Sequence, residues 1–184
     1  GDNESGKSTI LEAIHVALTG RYAGRSIRNQ LSAYLFNSET VQEYLESVES
    51  GHPSAPPQIM IEIYFKSGTI PEYEGNGNSK NNDGKEGIKF TIEFSEKFKA
   101  DYGKLLKSQK LTSLPIEFYE AKWFSFSRDE KMPRFIPVKS VMIDSSNYRY
   151  QNGSDVYISR VVKDFLEAED ITAITQAHRN MIDF

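Results

Sequence analysis

Apolar positions follow two different periods along this chain, and the change from one to the other divides it. Ile10, Leu11, Ile14, Ala17 and Leu18 recur at three- and four-residue spacing, which lines one face of a helix, and Gly20 is placed to stop it. A connector with Arg21, Arg25 and Arg28 leads to a short predicted helix near Gln30 to Phe36. Asn37 or Ser38 can cap the next helix, which carries Val41, Tyr44, Leu45 and Val48, and the proline-rich stretch from Gly51 to Pro57 breaks the pattern.

Beyond Pro57 the period falls to two. Ile59, Ile61, Ile63 and Phe65 alternate with Met60, Glu62 and Tyr64, as in a half-buried strand, and Ile88, Phe90, Ile92 and Phe94 repeat the pattern. The two predict an antiparallel hairpin over 58–66 and 87–95, joined by a long Gly- and Asn-rich tip over 67–87 that reads as mobile. Ser95 is placed to cap a helix with Phe98, Tyr102, Leu105 and Leu106. A third strand is expected over 116–126 around the only tryptophan, Trp123, and a fourth from Phe135 to Ile143 with a bend at Pro137. Asp144 to Gln151 reads as a surface turn at the end of that strand, and 146–184 as helical. The chain thus divides into a loop and helix (1–20), a helical connector (21–57), an antiparallel-rich sheet lobe (58–145) and a helical segment (146–184).

Composition narrows the class. A chain of 184 residues with 38% hydrophobic and 26% charged residues suits one soluble domain, or one lobe of a larger machine. Its longest apolar runs are too short to span a bilayer, and its polar opening does not resemble a signal peptide. No cysteine is present, so disulfides and thiolate metal sites are excluded, in keeping with an expected cytoplasmic location. The net charge of −4 excludes a uniformly basic surface but not a local basic patch.

The chemistry sits at the start. Gly1, Gly6, Lys7 and Ser8 satisfy G-x-x-x-x-G-K-[ST], the phosphate-binding P-loop. Gly1 and Gly6 permit backbone torsions that a side chain would block, so the amides of Glu4, Ser5, Gly6 and Lys7 can converge on phosphate oxygens. The helix that follows aims its positive end at the same anion. Lys7 supplies a charge to the β- and γ-phosphates, the Ser8 hydroxyl ligates magnesium, and Thr9 reaches the α-phosphate. A chance match in a chain of this length has a probability of roughly 1% or less, and here the motif opens an amphipathic helix as the chemistry requires. ATP with magnesium is therefore the expected cofactor. A P-loop normally follows a buried strand and none precedes Gly1, so the sequence reads as truncated at its start, with weakened support for the loop.

The residues within and after the loop carry a family resemblance. Gly1-Asp2-Asn3-Glu4-Ser5-Gly6-Lys7-Ser8-Thr9-Ile10-Leu11-Glu12-Ala13-Ile14 resembles the opening of RecF, SMC and OLD-family ATPases, in Asn3 and in Leu11-Glu12-Ala13 above all. The segments Pro115 to Trp123 and Tyr148 to Asp155 look more loosely like bacterial ATP-dependent endonucleases of the OLD family. The resemblance implies an α/β fold, the lobe of an ABC-type P-loop ATPase head in which the P-loop helix packs on a mixed, largely antiparallel sheet before C-terminal helices. It also implies heads that work as pairs, here a homodimer, and DNA as a partner of the full-length protein. OLD proteins join such a head to a Toprim nuclease domain with a Glu and an Asp-x-Asp pair; no Asp-x-Asp occurs in this sequence. The Ser-Gly-Gly signature loop and Walker B are missing too, since Val141-Met142-Ile143-Asp144 is followed by Ser145 and not by an acid.

Nuclease chemistry therefore has no residue here, and the expected function is the ATP- and magnesium-binding part of an OLD-like ATPase that regulates DNA processing. A fragment of a transport ATPase and a non-catalytic lobe with a vestigial P-loop are the alternatives. ABC-type heads place a glutamine near a strand end to sense magnesium and the attacking water. Gln151 or Asp144 could serve, beside the plainer reading as a surface turn. Arg21, Arg25 and Arg28 could touch nucleotide or DNA phosphates, although solvated connector arginines are commoner. His15 and His178 lack the acids or cysteines that a metal site needs, and Trp123 fits core packing better than base stacking.

Overall fold

The computed structural model describes residues 12–80, 83–108, 110–137 and 143–156. The first helix, α1, is seen over 12–19. It buries Ile14, Val16, Ala17 and Leu18 and stops at Gly20, whose φ of 71° is the left-handed turn that the sequence leads one to expect. The Gly20 amide bonds back to Val16 O at 2.7 Å, and a Cβ at Gly20 would stand 2.6 Å from Pro133 Cγ. Glycine is therefore required there both by torsion and by space.

The connector is less helical than its residues suggest. Two short strands, β1 (Arg21–Tyr22) and β2 (Arg25–Ser26), form a small hairpin, and the short helix expected near Gln30 to Phe36 is a single 3-10 turn over Ala33–Leu35. The Gln30 amide reaches the carbonyls of Tyr22, Arg25 and Ser26 and closes the hairpin's base. Helix α2 (Ser38–Glu49) begins as its sequence predicts, with Asn37 Oδ1 accepting from the Thr40 amide at 3.0 Å.

Strands β3 (Ile59–Phe65), β4 (Glu74–Gly75), β5 (Lys85–Phe94), β6 (Tyr119–Ser125), β7 (Ile143–Asn152) and β8 (Ser154–Val156) form one sheet. Its order is β4-β5-β3-β7-β8, with β6 alongside β5, and every pairing among the described residues is antiparallel. Ile59, Ile61 and Ile63 stand opposite Ile92, Phe90 and Ile88, and Phe90 stands opposite Trp123. This apolar face receives α1, and Trp123 Nε1 donates to Ala17 O at 3.0 Å. Trp123 is thus a core residue with its polar edge satisfied by the helix, as packing predicts. Helix α3 (Lys99–Ser108) follows a 3-10 turn, and Ser95 sits at the cap position of that turn without a side-chain capping bond.

Three expectations are corrected. Strand β3 is buried on both faces and not half-buried, because the segment after it folds back over the outer side. That segment, expected to be a mobile tip, is fastened across its described residues. Glu86 accepts from the amides of Gly68 and Ile70, Glu62 accepts from the amide and hydroxyl of Ser79, and the Gly77 amide bonds to Phe126 O at 2.8 Å. Gly75 allows the approach, since a Cβ there would lie 2.1 Å from Phe126 O. Finally, the fourth strand does not end at Ile143 but starts there, so Asp144 to Gln151 is a strand and not a surface turn. The sheet lobe therefore extends through Val156, and 146–156 is not helical. The helical reading of 157–184 lies outside the described residues.

Candidate nucleotide-binding site

The expected phosphate loop, Gly1, Asn3, Glu4, Ser5, Gly6, Lys7, Ser8 and Thr9, lies outside the described residues, Ser8 as the expected magnesium ligand included. What the structure supplies is the platform behind it. Glu12 at the start of the described helix, with Ala13 and Val16, lines one cleft together with Ile59, Ile61 and Tyr150 of the sheet. The other end is pinned by the Trp123–Ala17 bond and by the contact of Gly20 with Pro133. A helix buried along one face and hydrogen-bonded at one carbonyl has little freedom to slide.

Between α1 and the sheet runs a cleft of about 240 Å³ with an apolar floor of Ile61, Phe90 and Ile92. Tyr34, almost fully exposed, stands at its rim with Leu35, and Tyr150 closes one side. Its position depends on Asn152, whose side chain donates to Leu35 O at 2.9 Å and accepts from the Asn37 amide at 2.8 Å. One asparagine thus ties the β7–β8 turn to the connector and to the cap of α2. Tyr150 and Asn152 carry this arrangement and were not singled out by sequence reasoning.

The two low-weight candidates are not brought together. Asp144 follows Ile143, which pairs with Phe65, whereas Gln151 pairs with Met60 at the other end of the strand. On β3 the positions opposite Gln151 and Ile143 are five residues apart, a separation of roughly 17 Å. Gln151 alternates with Tyr150, which lines the cleft, so its side chain is on the opposite face of the sheet. Neither residue is placed by the described structure to meet a nucleotide on α1.

The outer face holds the strongest electrostatics. Glu62 is completely buried between Lys89 on one neighbouring strand and Arg149 on the other, with Lys89 Nζ at 4.0 Å. Burial, and secondarily the Glu62 charge, push the Tyr64 hydroxyl up to about 12, against a smaller opposing effect of Arg149. Glu93 on the same face is raised above the usual carboxylate range, chiefly by burial. Glu62 and Glu86 act on the loop and not on a ligand. Among the described residues, no group of three His, Asp or Glu is placed to hold a metal ion, and no helix is long and apolar enough to cross a membrane.

Arg21, Arg25 and Arg28 lie at the C-terminal end of α1, away from the loop. Arg28 stacks over Trp123, 5.2 Å from the ring centre. Comparison with known families agrees with the platform: the family model described as an AAA domain matches residues 1–177. No curated protein and no solved structure matches the chain.

Proposed function

The chain belongs to the AAA domain family, a P-loop ATPase family of the SMC and RecF kind, and from that premise we propose that it is the ATP- and magnesium-binding part of an ATPase that regulates DNA processing. The observation that carries this reading is the join of an intact G-x-x-x-x-G-K-S loop to a helix whose far end is fixed to the sheet by Trp123. In this reading the amides from Glu4 to Lys7 enclose the phosphates, Lys7 neutralises the β- and γ-phosphates, and Ser8 ligates magnesium. Asn3 and the Leu11-Glu12-Ala13 run favour the OLD-like branch, in which paired heads govern a nuclease domain. The pairing would be a homodimer of heads closing on nucleotide.

Hydrolysis needs a Walker B acid and a signature loop, and this sequence has neither. The chain alone should therefore bind Mg-ATP with little or no turnover. Titration with a fluorescent ATP analogue, with and without magnesium, tests the reading. Binding should require magnesium and fall by at least tenfold in Lys7→Ala, which loses the charge on the β- and γ-phosphates. Binding that ignores both magnesium and Lys7 would sink the proposal, and robust turnover by this chain would contradict the division of labour. In the full-length protein, Mg-dependent cleavage of DNA that changes with ATP is the outcome expected of the OLD-like branch.

A further inference from the structure

Two segments far apart in sequence meet at the C-terminal end of α1, and both are basic. Residues 20–36 carry Arg21, Arg25 and Arg28 with no acid, and residues 131–137 carry Lys131 and Arg134 with no acid, in a chain whose net charge is −4. Gly20 packs on Pro133, so the segments that carry Arg21 and Arg134 meet there. Arg28 Nη1 lies 3.8 Å from Met132 Sδ, which joins the hairpin connector to the same turn. Arg25, Arg28 and Arg134 are exposed, and no salt bridge among the described residues involves any arginine of the cluster. The nearest acids in sequence are turned elsewhere. Asp129 faces the hydroxyl of Ser127, and the charge of Glu130 acts on Lys122.

Apolar groups are exposed in the same place. Phe135 is 66% and Met132 40% exposed, and the Arg134 guanidinium lies 4.8 Å from the centre of the Phe135 ring. Unneutralised guanidiniums attract any polyanion. An exposed aromatic plane beside them adds a surface on which unpaired bases can stack, which neither an acidic peptide nor a duplex backbone needs. We infer that the turn Lys131–Phe135 together with Arg21 and Arg28 forms a docking surface for single-stranded nucleic acid. It lies at the opposite end of α1 from the phosphate loop, so its failure and that of the nucleotide site can be told apart.

The test is fluorescence anisotropy of the whole chain with a labelled single-stranded DNA of mixed sequence, across a salt series. Duplex DNA, polyglutamate and anionic lipid vesicles are the comparison arms, and Mg-ATP titration is a parallel measurement. The single strand should bind more tightly than the other three. The double substitution R28A/R134A should lower the slope of log affinity against log salt by about 1.4, as two lost phosphate contacts on a single strand require. The charge-keeping pair R28K/R134K should retain the slope and thereby control for folding. Phe135→Ala should weaken the single strand by about tenfold and the duplex hardly at all. Arg134→Ala and Phe135→Ala should leave Mg-ATP binding intact. An unchanged salt slope in R28A/R134A, equal binding of polyglutamate or vesicles, or equal loss on single strand and duplex in Phe135→Ala would each overturn the proposal.

Discussion

On the side of the sheet that receives α1, Ile59, Ile61, Ile63, Ile88, Phe90 and Trp123 meet Ala17 and Leu18, and the polar contribution is one indole N–H on one helix carbonyl. One residue along on β3, the outer side is held by a carboxylate, Glu62 between Lys89 and Arg149, which takes its donors from Ser79 of the loop; Glu86, opposite Phe65 at the end of the apolar row, holds two further amides of the same loop. Both sides exclude water, but by different physics. Burial on the helix side adds about 1.5–3 kcal/mol per large side chain and tolerates small shifts. On the outer side a buried charge is costly unless each oxygen finds its donor, so the loop must take one particular path. The helix side therefore sets how firmly the nucleotide platform is held, and the outer side sets where the chain runs.

The largest expected effect is on the helix side. Trp123→Ala removes a side chain that is 1% exposed and leaves the Ala17 carbonyl without its donor. A loss of about 4 kcal/mol in chemical denaturation is expected, enough to unfold a marginal domain. Trp123→Phe keeps most of the volume and should cost about 1–2 kcal/mol, chiefly the hydrogen bond. If the two substitutions cost the same, the indole N–H and not the packing holds α1, and the comparison fails on this side.

On the outer side, Glu62→Ala should cost about 3 kcal/mol, because Lys89 and Arg149 then face each other across a site that has lost its anion. Glu86→Ala removes the acceptor for two amides and should cost about 2 kcal/mol. The two differ from Trp123→Ala in where the structure opens. Hydrogen exchange should rise first at Gly68 and Ile70 in Glu86→Ala and at Ser79 in Glu62→Ala, while the Gly20 amide on Val16 O stays protected. Exchange that rises uniformly across the sheet would show that the carboxylates hold the core itself.

The same contrast explains what could be read from the sequence. Strands β3 and β5 were legible to within two residues, because one face of each carries an unbroken alternating row of apolar side chains, whereas β6 starts at Tyr119, three residues later than expected, since Ile116–Phe118 form a 3-10 turn. Strand β7 was not legible. Asp144, Ser145, Ser146 and Asn147 are turn residues by local chemistry, and they lie where the register with β3 shifts, between Ile143 opposite Phe65 and Tyr148 opposite Ile63, so only those distant pairings carry the strand through them. The Gly- and Asn-rich loop was misread for a related reason. Its anchors, Glu62 and Glu86, lie in other elements, so no local window shows that its amides are satisfied. The P-loop ATPase class was legible because the motif is contained in nine consecutive residues and needs no tertiary partner to be recognised. The basic patch needed the fold: its halves are separated by 104 residues where Arg28 meets Met132.

The smallest expected effect is also the most discriminating. The Tyr64 hydroxyl is buried on the outer side with no hydrogen-bond partner, so Tyr64→Phe should change stability at neutral pH by less than about 1 kcal/mol, and in the favourable direction if at all. Its signature lies in the pH dependence. The folded protein holds the phenol proton up to about 12, whereas the unfolded chain releases it near 10. Between those values the folded state binds more protons, so this group's contribution to stability is full below pH 10 and is lost as pH rises toward 12. Tyr64→Phe should therefore lack that part of the alkaline fall in stability, as seen in denaturation midpoints taken across this range. The Glu62 charge contributes to the shift, so Glu62→Ala, measured against its own lower stability at neutral pH, should show a smaller alkaline fall for as long as Tyr64 is present, and no such difference once Tyr64→Phe is added. An alkaline fall unchanged in Tyr64→Phe would mean that the outer side is wetter than its carboxylate network implies.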